Sequence, residues 1–203
     1  MDITLVVFFS YLSGSIPFGL IITKIFADQD VRKIGSGNIG ATNVLRTGNK
    51  FLALLTLILD VLKGYAPVVI TQHYFPELIQ FSCLLAFLGH VFPIWLKFKG
   101  GKGVATYLGI LIALSIPMSL LFMFTWLVVS LIFRYSSLSS IFSSLTVLVI
   151  TLIKDTAIRS IDSNMYINEE IKLILFIFFI LITFTHRKNI SNLINKTEHK
   201  IKI

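Results

Sequence analysis

The chain is poor in charge and nearly free of cysteine. Only 14% of its 203 residues are Asp, Glu, Lys or Arg, while 55% are hydrophobic, a balance outside the range of ordinary soluble domains. The single cysteine, Cys83, lies in an apolar run without a partner. That excludes a disulfide framework and a cysteine-rich metal site, and leaves a small buried side chain as its role. Acidic residues are also scarce, 10 against 18 Lys and Arg, giving a net charge of +8. No basic face is interleaved with polar structure, which argues against a nucleic-acid partner. In an apolar chain the excess fits retention of cations on the cytoplasmic side of a membrane. Internal repeats, low-complexity tracts and any separate soluble stretch are absent, so one domain spanning 1–203 is expected. The amino end lacks the basic n-region of a cleaved signal, and its apolar run continues to about Ala27, as in a retained first span.

What is present is a series of bilayer-length apolar segments. A crossing needs roughly 20 apolar residues, and candidates cover 3–26, 51–72, 78–98, 137–154 and 170–185. The stretch 104–133 would be ~45 Å long as one helix. Ser115 and Pro117 interrupt it, and a proline disfavours helix at the residue before it. Splitting it into 104–115 and 117–133 predicts an all-α polytopic bundle of about seven transmembrane helices. With the N-terminus outside, Lys24, Arg32, Lys33, Arg46, Lys50, Lys97, Lys99, Lys102, Arg134, Arg187, Lys188, Lys196, Lys200 and Lys202 fall inside. Outside stand only Lys154, Arg159 and Lys172, together with Asp2, Glu77, Asp155, Asp162, Glu169 and Glu170. This asymmetry is what the positive-inside rule requires.

Two glycine-rich runs interrupt the apolar pattern: Gly35 to Asn43, and Lys99 to Thr106. Irregular backbone belongs at a membrane surface or in a protected cavity. Glycines let successive amides converge on an anion. In the first run Gly35, Gly37 and Gly40 alternate with the hydroxyls of Ser36 and Thr42 and the amides of Asn38 and Asn43, and Arg46 follows with a fork suited to phosphate. In the second, Gly100, Gly101 and Gly103 surround Lys102 where a loop enters a helix, again suited to an anion. Leu96 and Gly103 break the Walker A pattern, so nucleotide binding is not supported. A turn-rich connector is the plainer alternative for each run. Asp60 and Lys63, three apart inside the second span, read as a structural ion pair. His90 reads equally as a core residue or a site residue. Arg134 to Ser140 forms a hydroxyl-rich connector, and His186 and Asn189 share a helix face at the inner end of the last span. Histidine there suits proton transfer near neutrality, or a structural bond. No metal cluster and no cofactor motif is visible.

Together these segments resemble the bacterial acyl-phosphate:glycerol-3-phosphate acyltransferase family. The matching text is Ser13 to Gly19, Ile34 to Arg46, Leu59 to Gly64, Gly89 to Pro93, Phe98 to Thr106, Arg134 to Ser140 and His186 to Glu198. The resemblance implies a seven-span enzyme of the bacterial inner membrane, with the site and the C-terminus cytoplasmic. It implies acyl transfer from acyl phosphate to the sn-1 hydroxyl of glycerol 3-phosphate, giving lysophosphatidic acid and phosphate, the first acylation of phospholipid synthesis. The donor would come from an acyl-phosphate-forming enzyme, the acyl chain would lie among membrane lipid, and the enzyme would be a monomer without cofactor. By resemblance Ser36 and Arg46 fall on the first functional motif, Lys102 and its glycines on the second, and His186 and Asn189 on the third. Ser137 and Ser140 match a stretch that lines the site, and the text does not separate them. Ser139 and Lys196 stand where the family usually has glycine, and His199 where it has proline.

The chemistry agrees with that expectation. Phosphate is a good leaving group, so orientation and charge stabilisation suffice without a covalent acyl-enzyme. Arg46, Lys102 and the glycine-run amides would hold two phosphates, with Ser36, a serine of 137–140 and Asn189 orienting them. The base is either His186 or a substrate phosphate oxygen. None of the four histidines has Asp five positions later, which excludes the His-x4-Asp mechanism of soluble-type glycerophosphate acyltransferases. The main rival is a phosphate or organophosphate carrier, against which the absence of repeats and the one-sided cations argue.

Overall fold

The computed structural model describes residues 2–161 and 168–201, with 159–161 described by backbone alone. Of the charges counted above, Asp162, Lys202 and the side chain of Arg159 lie outside the described residues. Every regular element among the described residues is helical. Five stretches are long and apolar enough to cross a membrane: Asp2–Ala27, Lys50–Tyr74, Pro76–Leu96, Ile116–Phe133 and Ser136–Ile158. The other two expected segments are helices of 11 and 17 residues, Val104–Leu114 and Glu169–Thr185. At 1.5 Å per residue these cover about 17 and 26 Å, short of a ~30 Å core.

The chain divides into two compact units, Met1–Ser115 and Ile116–Ile203. The first holds α1 (Asp2–Ser15), α2 (Phe18–Ala27), the single turn α3 (Ala41–Val44), α4 (Lys50–Tyr74), α5 (Ile79–Val91) and α6 (Val104–Leu114). Its first span is broken rather than continuous, because Pro17 has no N–H to donate into the ladder. Small residues let the helices meet backbone to backbone. Gly14 of α1 packs on Ala86 of α5, and Gly64 of α4 packs on Thr106 of α6; a Cβ at either would overlap the facing carbonyl. Ser10 and Ser82 hydrogen-bond across the α1–α5 contact at 2.9 Å. Beneath the first glycine-rich run lies a core of Leu20, Ile22, Val31, Ile39, Val44 and Leu52.

The second unit holds α7 (Ile116–Phe133), α8 (Ser136–Ile161), α9 (Glu169–Thr185) and α10 (Arg187–Ile194). The stretch 104–133 is interrupted as expected: Ser115 is extended, with φ −167° and ψ 116°. α8 runs past its expected end at 154, because Asp155 finds a partner. Lys172 of α9 lies 2.7 Å from Asp155 and 2.7 Å from Glu169, so the polar turn stays helical. Three serines of α8 donate to their own helix. Ser139, Ser140 and Ser143 donate to the carbonyls of Tyr135, Ser136 and Ser139 at 2.9, 2.8 and 2.6 Å.

Candidate active site

The first glycine-rich run lies between α2 and α4. Asp30 opens the loop by accepting from the Arg32 backbone N–H at 3.0 Å, and Arg32 bonds back to both carboxylate oxygens at 2.9 and 2.6 Å. Those side-chain bonds hold the Asp30 carboxyl well below the usual carboxylate range. Asn43, only 3% exposed, closes the loop on itself. Its Nδ2 donates to the carbonyls of Val31, Ile34 and Asn38 at 2.9, 2.9 and 2.7 Å, two hydrogens shared among three acceptors. Its Oδ1 accepts from Ser36 N at 3.0 Å, Ser36 Oγ at 3.2 Å and Arg46 Nη1 at 3.4 Å. One buried amide therefore brings Ser36 and Arg46 to the same oxygen. Gly35, at φ +52°, lies under Arg46, where a Cβ would come within 2.6 Å of the Arg46 chain.

The second run leaves α5 at Val91 and returns to it. The amides of Gly100 and Gly101 donate to the carbonyls of Val91 and His90, both at 3.0 Å. Half-buried Lys102 follows, and Gly103, at φ +84°, caps α6. Of the amides expected to converge on phosphate, five are engaged by the loops themselves. The N–H groups of Gly37 and Gly40 go to Ile34 O and Asn38 Oδ1 at 3.0 Å each, and those of Ser36, Gly100 and Gly101 to the acceptors already named. The side chains of Asn38 and Asn43, expected to touch substrate, likewise hold the loop. The glycines and asparagines shape the loops, and what the loops present is the exposed Ser36 with the half-buried Thr42, Arg46 and Lys102.

In the second unit, His186 joins α9 to α10 and is 2% exposed. Its Nδ1 lies 2.8 Å from the carbonyl of Ile182. A carbonyl only accepts, so Nδ1 carries the proton, and in the neutral ring Nε2 is the acceptor. Asn189 donates to Glu198 Oε1 at 2.6 Å, Ser137 donates to the same oxygen at 3.1 Å, and Asn192 to Oε2 at 3.4 Å. Ser140 is not part of this cluster: its hydroxyl donates to Ser136 O and accepts from the Trp126 indole at 3.2 Å. The tail closes with Ile201 N–H on Arg134 O at 2.7 Å.

Loops built to present cations and hydroxyls, in a polytopic helical chain, find their counterpart among known proteins. A family described as glycerol-3-phosphate acyltransferase matches residues 4–196. The chain belongs to the glycerol-3-phosphate acyltransferase family. A relative of that name from Pelagibacter ubique is 51% identical over 203 residues, covering 100% of both chains. One from Mesorhizobium japonicum is 50% identical, covering 95% of this chain and 93% of that one. The crystal structure of PlsY (YgiH), an integral membrane glycerol 3-phosphate acyltransferase, in its glycerol 3-phosphate form, superposes with a TM-score of 0.89. It is 35% identical and covers 100% of this chain and 96% of that one. The lysophosphatidic acid form gives a TM-score of 0.86 at 34% identity, covering 98% and 95%.

In this glycerol-3-phosphate acyltransferase two polar residues escaped the reading of the sequence. Glu198 and Asn192 both lie in the matching stretch His186 to Glu198, with no role assigned to either. The available signal was that Glu198 is the only acidic residue from 186 to 203, in a segment otherwise basic. A lone carboxylate among amides and hydroxyls tends to gather their donors.

Proposed function

We propose that this glycerol-3-phosphate acyltransferase takes its acyl group from acyl phosphate and transfers it to the sn-1 hydroxyl of glycerol 3-phosphate, releasing lysophosphatidic acid and inorganic phosphate. One observation carries the reading: two loops of the same unit, each held by hydrogen bonds, each carry one half-buried cation, Arg46 and Lys102, beside more exposed ones. Two cations on two rigid loops suit two phosphorylated substrates. The forms of PlsY with glycerol 3-phosphate and lysophosphatidic acid support the acceptor and the product.

In this reading Arg46 and Lys102 neutralise the two phosphates, and Ser36, Ser137 and Asn189 orient them. Departing phosphate needs charge stabilisation more than it needs a nucleophilic side chain. The hydroxyl of glycerol 3-phosphate attacks the acyl carbonyl, the acyl–phosphate bond breaks, and a phosphate oxygen of the substrate takes the hydroxyl proton. His186 orients a phosphate by donating from Nε2, which it can do only as the imidazolium, with Nδ1–H kept on the Ile182 carbonyl. The chain works as a single domain, a monomer crossing the bacterial plasma membrane seven times with its N-terminus outside. The acyl chain enters from the bilayer, and an acyl-phosphate-forming enzyme supplies the donor.

Purified protein in detergent tests this. With palmitoyl phosphate and glycerol 3-phosphate the expected result is lysophosphatidate and phosphate, with no product from palmitoyl-CoA. Lys102→Ala is expected to abolish release. Turnover with the thioester alone would overturn the donor, and full turnover by Lys102→Ala would overturn the site.

A further inference from the structure

The second span carries two buried charges. Asp60 is 2% exposed and Lys63 4%, and their charged atoms lie 2.7 Å apart. Desolvating two ions costs several kcal/mol each, and apolar residues of the same volume often serve stability as well. Ions within a membrane therefore call for a role beyond filling space, and their neighbours supply one. Lys63 Nζ donates at 2.7 Å to the carbonyl of Ile16, at the break between α1 and α2. The Lys63 carbonyl is the one that Pro67, four residues on, leaves without a helical donor, and Ser13 Oγ reaches it at 3.4 Å. Asp60 Oδ1 faces the ring of His90, 3.9 Å from Nδ1, and that ring is 3% exposed. The opposite edge of the ring lies against Gly101, where a Cβ would overlap Nε2. The His90 carbonyl holds the Gly101 amide at 3.0 Å, and Lys102 comes next in the chain. On the other side, α2 carries Gly19, which packs on the carbonyl of Ile39 in the first loop.

We infer that Lys63, paired with Asp60 and backed by His90, is a positioning residue for this site. It seats the Lys102 loop through His90 and Gly101, and the Ser36 loop through the Ile16 break and Gly19. The cation caps a carbonyl that the break exposes, and the anion faces the imidazole that supports Gly101. Apolar side chains of equal size would fill the volume and do neither. This role rests on the assignment of Lys102 and Ser36 to the site.

The test uses detergent-purified Asp60→Asn/Lys63→Met, Lys63→Arg and His90→Gln, each checked for folding by thermal melting. Their kcat and KM for glycerol 3-phosphate are then measured with palmitoyl phosphate as donor. A misplacement near 1 Å costs up to about a hundredfold in rate. The uncharged double variant is expected to melt close to the parent and to lose at least about tenfold in kcat/KM. His90→Gln is expected to lose in the same direction, and Lys63→Arg, which keeps the carbonyl cap, to recover most of the activity. Parental kinetic constants in the folded double variant would overturn the role. So would failure of both the double variant and His90→Gln to fold, because the pair would then be a pillar of the fold alone. Lys102→Ala separates the two levels. If it keeps turnover, the site assignment fails; if it is inactive while the double variant is normal, only this inference fails.

Discussion

The loop that carries Ser36 and the tail that carries Asn189 solve one problem with opposite means. Each must hold polar side chains still at the end of an apolar helix. The loop does it with a neutral amide buried at its centre, donating and accepting at once, and with glycines at the left-handed positions Gly35 and Gly37. The tail does it with a half-buried carboxylate that only accepts, Glu198, and with a non-glycine residue at a left-handed position, Lys196 at φ +58°. A buried neutral hub tolerates no missing partner, since each orphaned group then bears its full desolvation cost. A partly solvated charged hub can exchange a lost partner for water. The loop is therefore the brittle half of the comparison and the tail the adaptable half.

The largest effect is expected from Asn43→Ala. It removes the donor to three carbonyls and the acceptor shared by Ser36 and Arg46. Unfolding stability should fall by about 2–4 kcal/mol, and turnover by about a hundredfold as Arg46 loses its seat. Asn43→Asp should be nearly as damaging, because a carboxylate would face the carbonyls of Val31, Ile34 and Asn38 with no hydrogen to give. Thermal melting and phosphate release in detergent check both. An active, stable Asn43→Asp would break the claim that this side chain is a two-way hub.

A milder loss is expected from Glu198→Gln. The new amide keeps an acceptor for Asn189 and Ser137 but turns a donor toward Asn192, and it gives up the charge that strengthens all three bonds. Turnover should drop about tenfold, equivalent to about 1.4 kcal/mol, with a small fall in melting temperature. A hundredfold loss would make the tail as brittle as the loop and erase the contrast.

The difference between the two regions also governs what could be read from the sequence. The apolar segments were legible because bilayer thickness fixes their length, and the break at Ser115 because proline acts on its neighbour locally. The Asp60–Lys63 contact followed from helical periodicity alone. The first loop announced itself by composition, yet the destination of its amides did not. Whether Gly100 N–H points at a ligand or at Val91 O depends on how α5 ends, and no spacing rule encodes that. Ser137 and Ser140 look alike in the text, and only the approach of Glu198 to the first and of the Trp126 indole to the second separates them. Glu198 itself lies 61 residues from the serine it binds, so a local pattern could not connect them.

The smallest effect sharpens the comparison most directly. α10 ends in a Schellman arrangement: Thr197 N–H donates to Asn192 O at 2.8 Å and Lys196 N–H to Leu193 O at 3.2 Å. Lys196 occupies the left-handed position where glycine is the usual choice, at a cost of about 1–2 kcal/mol for a side chain with a Cβ. Glycine relieves that cost but adds freedom to the unfolded chain worth about 0.5–1 kcal/mol. Lys196→Gly should therefore stabilise by at most about 1.5 kcal/mol, a rise in melting temperature of no more than roughly 3–6 °C for a chain of this size. Its kinetic constants should stay unchanged, since the bonds to Glu198 do not involve the Lys196 side chain. If the glycine variant instead loses turnover, the tail depends on a rigid terminus as the loop depends on Asn43, and the two regions obey one rule rather than two.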